Sequence, residues 1–166
     1  MDTMTLQPSL FDPLPLPERR IVNVASVKHL SPFRYPGGKT WLVPEVRKWL
    51  ETKEEKPADF IEIFAGGGIV GLTVAAERLA GHVTLIELDP DVSAVWHTIF
   101  SGDAEGLARR ITDFDLSPNN VREVLAAPAA SMEARAFQTI LRNRTFHGGI
   151  LAHGSGLLKH GENGKG

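Results

Sequence analysis

The chain has 166 residues, a formal net charge of −2 and no cysteine. Its length is enough for one domain with a real core, and the absence of cysteine excludes a disulfide framework and any thiolate metal site. The near-balanced charge excludes a general polycation, so any nucleic-acid contact has to come from a local basic face.

Residues 1 to about 30 read as a disordered, proline-rich tail. Pro8, Pro13, Pro15 and Pro17 favour extended backbone over helix or sheet. The start, Met1-Asp2-Thr3-Met4, lacks the basic-then-apolar plan of a signal peptide. The apolar runs are too short to span a bilayer, so a cytoplasmic protein without a membrane partner is expected. Ile21 to Val24 is a candidate short strand. Trp41 to Leu50 has helical spacing, with Leu42, Val46, Trp49 and Leu50 on one face and Pro44 in the first turn. Pro57 ends the charged stretch that follows.

Phe60 to Phe64 reads as a strand, Ala65 to Gly68 as a glycine turn, and Ile69 to Leu79 as a helix broken by Gly81. Val83 to Leu88 is a second strand, and a helix runs from about Asp91 to Phe100. Strand–helix–strand–helix is the pattern of a parallel sheet flanked by helices. Three further helices are expected: Ala104 to Ile111, then one capped by Ser117 with Pro118 in its first position and running to Leu125, then Ser131 to Arg142. From Asn143 the chain is glycine-rich. The three tryptophans, Trp41, Trp49 and Trp96, are expected in the core. The six histidines show no metal-ligand spacing, and no metal is expected.

Two glycine clusters carry the chemistry. Gly38-Lys39-Thr40 has the end of a phosphate-binding loop, but Phe33 stands where that loop needs its first glycine, and no apolar strand precedes it. Gly66-x-Gly68-x-x-Gly71 follows a strand and opens a helix, and Glu87 ends the next strand. A glycine turn lets a nucleotide approach the backbone, and an acid there can accept hydrogen bonds from a ribose diol. The pattern suits a nicotinamide dinucleotide or another nucleotide-bearing cofactor, and a bare turn without a ligand is the alternative. Glu62, two residues before Phe64-Ala65-Gly66-Gly67-Gly68, departs from the wholly apolar strand usual before a pyrophosphate site.

Glu62-x-Phe64-x-Gly66-x-Gly68 resembles the first motif of S-adenosylmethionine-dependent methyltransferases. Preceded by Arg34-Tyr35-Pro36-Gly37-Gly38-Lys39 and followed by Asn143-Arg144-Thr145, it resembles the adenine-specific DNA methyltransferases of the Dam type. The resemblance covers about Ser31 to Gly166 and implies an α/β, Rossmann-like methyltransferase fold with an incomplete parallel sheet, followed by a helical segment. It implies a cofactor part over 31–102, and over 103–166 a helical segment with the glycine-rich start of a DNA-recognition region. The implied cofactor, S-adenosylmethionine, would be held by Tyr35, Gly37, Gly38, Lys39, Glu62, Phe64, Ala65, Gly66, Gly68, Glu87 and Asp89. Double-stranded DNA would meet Arg142, Asn143, Arg144 and Thr145.

The family's base-holding motif, an acid or amide followed by Pro-Pro and an aromatic, is not found, because no two prolines are adjacent. Asp89-Pro90-Asp91 lacks the second proline and the aromatic. No catalytic residue is therefore assigned, and the expectation is an N-terminal portion of an adenine-N6 methyltransferase that is inactive alone. A fragment of a nicotinamide-dependent oxidoreductase and a non-catalytic cofactor- and DNA-binding module are the alternatives. Gln7-Pro8-Ser9-Leu10-Phe11 resembles the short peptides that dock bacterial sliding clamps, which makes the clamp a candidate partner.

Overall fold

The computed structural model of the chain describes residues 24–34, 38–151 and 154–158. The order of elements is α1 (Val43–Glu51), β1 (Asp59–Ile63), α2 (Ile69–Ala76), β2 (His82–Ile86), α3 (Pro90–Ser101), α4 (Ala104–Asp113), α5 (Pro118–Ala126) and α6 (Met132–Thr145). A 3-10 turn at Lys39–Leu42 leads into α1, and another at His147–Gly149 follows α6. The fold is mixed α/β. Among the described residues the sheet has two strands, paired in parallel with Asp59 opposite His82 and Ile63 opposite Ile86. Of the candidate strand Ile21 to Val24 only Val24 is described, and it lies in no strand.

Side chains alternate across a strand. Phe60, Val83 and Leu85 pack toward the helices, whereas Ile61, Ile63 and Ile86 are at least half exposed. Parallel sheets are ordinarily covered on both faces. Here the helix-side face is covered and the face carrying the three isoleucines is open among the described residues. On the covered side Gly71 sets the approach of α2. A Cβ there would lie 2.5 Å from Leu85 Cδ2 and 2.9 Å from Glu62 Oε2, so the helix could not pack this close with any other residue.

The helix starts follow from short polar caps. Asp89 accepts from the Asp91 and Val92 amides, Asp103 from Gly106, Ser117 from Asn120 and Ser131 from Ala134. The Ser131 hydroxyl and the Glu133 amide hold the exposed Glu133 carboxyl below its usual range. The last helix runs three residues past the expected Arg142, to Thr145. The added turn carries the buried Asn143, and the body of α6 packs on α3: Val92, Val95 and Trp96 share a core with Leu107, Val121, Ala136, Phe137, Ile140 and Leu141. That core crosses the 102/103 boundary drawn from the sequence.

The tryptophans divide. Trp96 is buried, but Trp41 and Trp49 are 56% and 52% exposed, against expectation. The buried residues of α1 are Val43 and Leu50, seven apart, and Trp49 lies one step off that stripe. Its ring instead carries the Lys53 ammonium 4.8 Å from its centre.

Candidate functional site

The carboxyl ends of β1 and β2 meet in an irregular turn. Phe64 leaves β1 at φ +53, an unusual conformation for an aromatic residue, and is 73% exposed. Gly66 and Gly68 also have positive φ, and Gly68 caps α2. The turn is tied on three sides. The Ala65 amide donates to Ile86 O at 2.9 Å. The Gly66 amide donates to Glu87 Oε2 at 2.5 Å, while Glu87 Oε1 accepts from the Asp89 amide at 2.9 Å. From beneath, the Trp96 indole donates to Gly66 O at 2.8 Å.

Lys39, in the 3-10 turn before α1, reaches across to this loop. Its ammonium donates to Phe64 O at 2.9 Å and lies 2.5 Å from Glu62 Oε1. The Lys39 ammonium is the partner of that oxygen, as an ion pair. Glu62 Oε2 accepts from the Gly71 amide at 2.7 Å, in the first turn of α2. At 5% exposure Glu62 lies under the surface, and its charge is matched by Lys39 and by a helix N-terminus.

These residues surround a cavity of about 480 Å³, within the usual range for small-molecule sites. It opens at the carboxyl ends of the two parallel strands, where open α/β sheets bind ligands. Of the residues the sequence singled out, Gly38, Lys39, Phe64, Ala65, Gly66, Gly68 and Glu87 line it together. Glu62 supports it from below, and Asp89 does not line it but caps α3, with Pro90 in the first helical position. Tyr35 and Gly37 lie outside the described residues, as does Gln7 to Phe11. Sequence reasoning missed Phe33, which lines the wall and packs edge-on against Trp96 at 5.5 Å. Its only signal was its place at the start of the first glycine motif. A second, more apolar cavity of about 510 Å³ lies along β2 between α2 and α3 and shares Glu87.

The four residues expected at DNA fall into two pairs. Arg142 is held by Asp91 at 2.6 Å, with Arg135 3.6 Å from the same carboxylate. Asn143 is buried. Arg144 and Thr145, by contrast, line a cavity of about 380 Å³ with Arg34, Arg122 and Ser117 at the start of α5. Three arginines from distant parts of the chain thus meet at one opening, and among the described residues no acid lines it. Arg34 and Arg122 had no sequence signal for this role, since only the fold brings them beside Arg144.

Among the described residues no group of acids and histidines could hold a metal ion, and no helix is long and apolar enough to cross a membrane. Comparison with curated proteins and with solved structures returned no match. The model of the family described as D12 class N6 adenine-specific DNA methyltransferase matches residues 35–123, just over half of the chain. The match runs from the first glycine motif through both strands, the glycine turn and Glu87 into α5. The chain belongs to the D12 class of N6 adenine-specific DNA methyltransferases.

Proposed function

We propose that the chain binds S-adenosylmethionine in the cavity at the ends of β1 and β2 and presents it for methylation of adenine N6 in double-stranded DNA, on a Rossmann-like framework. The observation that carries the reading is the meeting of the Gly66–Gly68 turn, Lys39 and Glu87 around one cavity. When bound, the cofactor supplies a sulfonium-activated methyl group. Glu87 is placed to accept from a ribose diol, because each of its oxygens is oriented by one backbone amide and keeps a further lone pair. Lys39 and the amide-rich turn suit the cofactor's carboxylate. Glu62 acts through Lys39 and Gly71, since its charge is already matched and it is nearly closed to solvent. Tyr35 and Gly37 belong to the same proposal by their place in the motif.

Residues 31–102 would then form the cofactor part and 103–166 the start of the DNA-recognition part. This is a division of role within a shared core. Arg144 and Thr145, joined by Arg34 and Arg122, make the basic face that a near-neutral chain needs for a phosphate backbone. Arg142 and Asn143 serve the same region through the fold. With DNA as its substrate, the protein is read as cytoplasmic.

Titration calorimetry with S-adenosylhomocysteine and with NAD tests the cofactor. S-adenosylhomocysteine should bind, and Glu87→Gln should weaken it about tenfold or more, because charge-assisted bonds contribute about 1.5–3 kcal/mol each. Equal affinity of parent and variant, or preference for NAD, would sink the assignment. For the DNA face, Arg122→Ala should weaken duplex binding whatever the sequence and reduce the salt slope by about one. An unchanged slope would remove Arg122 from the interface.

A further inference from the structure

Asn143 is 1% exposed, and its amide is almost fully used. Oδ1 accepts from the Arg34 amide at 2.8 Å, and Nδ2 donates to Arg34 O at 2.7 Å and to Gly149 O at 2.9 Å. The side chain thus pairs with both backbone groups of Arg34, much as a neighbouring strand would, and ties the same point to Gly149. Gly149 has φ +68, and a Cβ there would lie 2.8 Å from Arg34 O and 3.1 Å from Asn143 O. Next in sequence, Arg144 donates to Pro32 O at 2.7 Å. Two stretches of backbone, at Arg34 and at Gly149, therefore converge on one buried amide, 109 residues along the chain from Arg34.

The knot lies between two sites, and Arg34 lines both cavities. Phe33 and Arg34 are wall residues of the cofactor cavity, and Phe33 leans on the Trp96 ring that holds Gly66. Gly149 closes the turn after Phe146, which bridges Leu157. The His147 amide bonds Gly156 O, and the Leu158 amide bonds Thr145 O, beside the arginine-lined cavity. We propose that Asn143 is a positioning residue that couples the two sites: ordering of Phe33 and Arg34 by a ligand in the cofactor cavity is passed through the amide to the turn at 146–150, and DNA at the adjoining arginine-lined cavity tightens the cofactor in return. The chemistry requires asparagine. Aspartate cannot donate to the two carbonyls, serine is too short to reach both segments, and leucine leaves the buried amide and carbonyls unpaired. The inference rests on the cofactor reading given above.

The test is residue-resolved hydrogen exchange on the full chain, with and without saturating S-adenosylhomocysteine, for the parent, Asn143→Asp and Gly149→Ala. The second variant keeps the amide and forces the turn away from Arg34, so it carries the test if the first fails to fold by circular dichroism. In the parent, the ligand should slow exchange at the His147 and Leu158 amides about tenfold. In the variants that slowing should vanish even at saturation, with affinity for the ligand at least tenfold weaker and exchange in α4 unchanged. Slowing that persists in the variants, or a parent whose turn ignores the ligand, would overturn the proposal. If the parent binds no S-adenosylhomocysteine, the cofactor reading falls instead. The unliganded exchange rates then still decide the coupling through Asn143: exchange at Arg34 and at the turn amides must rise together in the variants, and independent behaviour refutes it.

Discussion

Purified residues 1–166 are expected to bind S-adenosylhomocysteine and to transfer no methyl group to DNA. Holding the donor and activating the acceptor are separate tasks. The lone pair of an adenine amine is delocalised into the ring, so it becomes a competent nucleophile only when two acceptors take its hydrogens and the base is held out of the duplex. Such acceptors could come from a carboxylate or amide beside a prolyl carbonyl. None of the 11 prolines has a proline neighbour. The Asp-Pro pair among the described residues, Asp89-Pro90, is committed to starting α3, its carboxylate accepting from the Asp91 and Val92 amides. Losing acceptors and orientation together removes several kcal/mol of barrier lowering, so turnover should fall at least a thousandfold below that of an active enzyme. The assay is tritiated methyl incorporation into unmethylated DNA, with protein made in a host lacking adenine methylation. Turnover well above the blank would mean that another pair of acceptors in these residues does the work.

The second large effect concerns stability. Lys39→Met should lower the unfolding free energy by about 2–4 kcal/mol. Breaking a buried pair is far worse than never having one, because the surviving charge stays behind without a partner. Glu62 is that charge: its Oε1 has only Lys39 beside it, and its Oε2 keeps the Gly71 amide. Lys39 is partly exposed, which places the effect near the lower end of the range for closed sites. Adding Glu62→Gln removes the stranded charge while leaving an oxygen for Gly71, so the double variant should recover half or more of the loss. Urea unfolding of the four proteins of this cycle measures the coupling. A loss below about 0.5 kcal/mol for Lys39→Met would show that solvent already screens the pair. The same cycle bears on the cofactor cavity, since Lys39 also holds Phe64 O, and through it the strained start of the glycine turn.

Much of the site was legible in the chain because its signals are local. A strand, a glycine turn and a helix start are written in consecutive residues, and an acid at the end of the next strand follows from the same repeat. Both strands, α2 and α3 lie within a few residues of where periodicity and glycine placed them. Ser117 with Pro118 also stands where cap chemistry requires, whereas α2 stops at Ala76, short of the break expected at Gly81, because the chain turns at Arg78 with φ +56. The family, too, could be read from the order of the Gly37-Gly38-Lys39, Glu62-to-Gly68 and Asn143-Arg144-Thr145 segments, and the family match now covers the first two.

What the sequence by itself determined, then, was the identity and order of the elements and the residue types gathered at the ends of β1 and β2. The tertiary structure alone decided which way the polar side chains face and what they hold. Nothing in the string distinguishes Arg142, paired with Asp91, from Arg144, which lines an open cavity, because that choice depends on how α6 rolls against α3. Nothing distinguishes Trp96 in the core from Trp49 on the surface, since both fit a helical stripe until the neighbours are present. The role of Asn143 is the extreme case. Its partners are two backbone segments, one of them 109 residues away, and a side chain that satisfies main-chain groups leaves no mark in hydrophobic pattern, charge or motif.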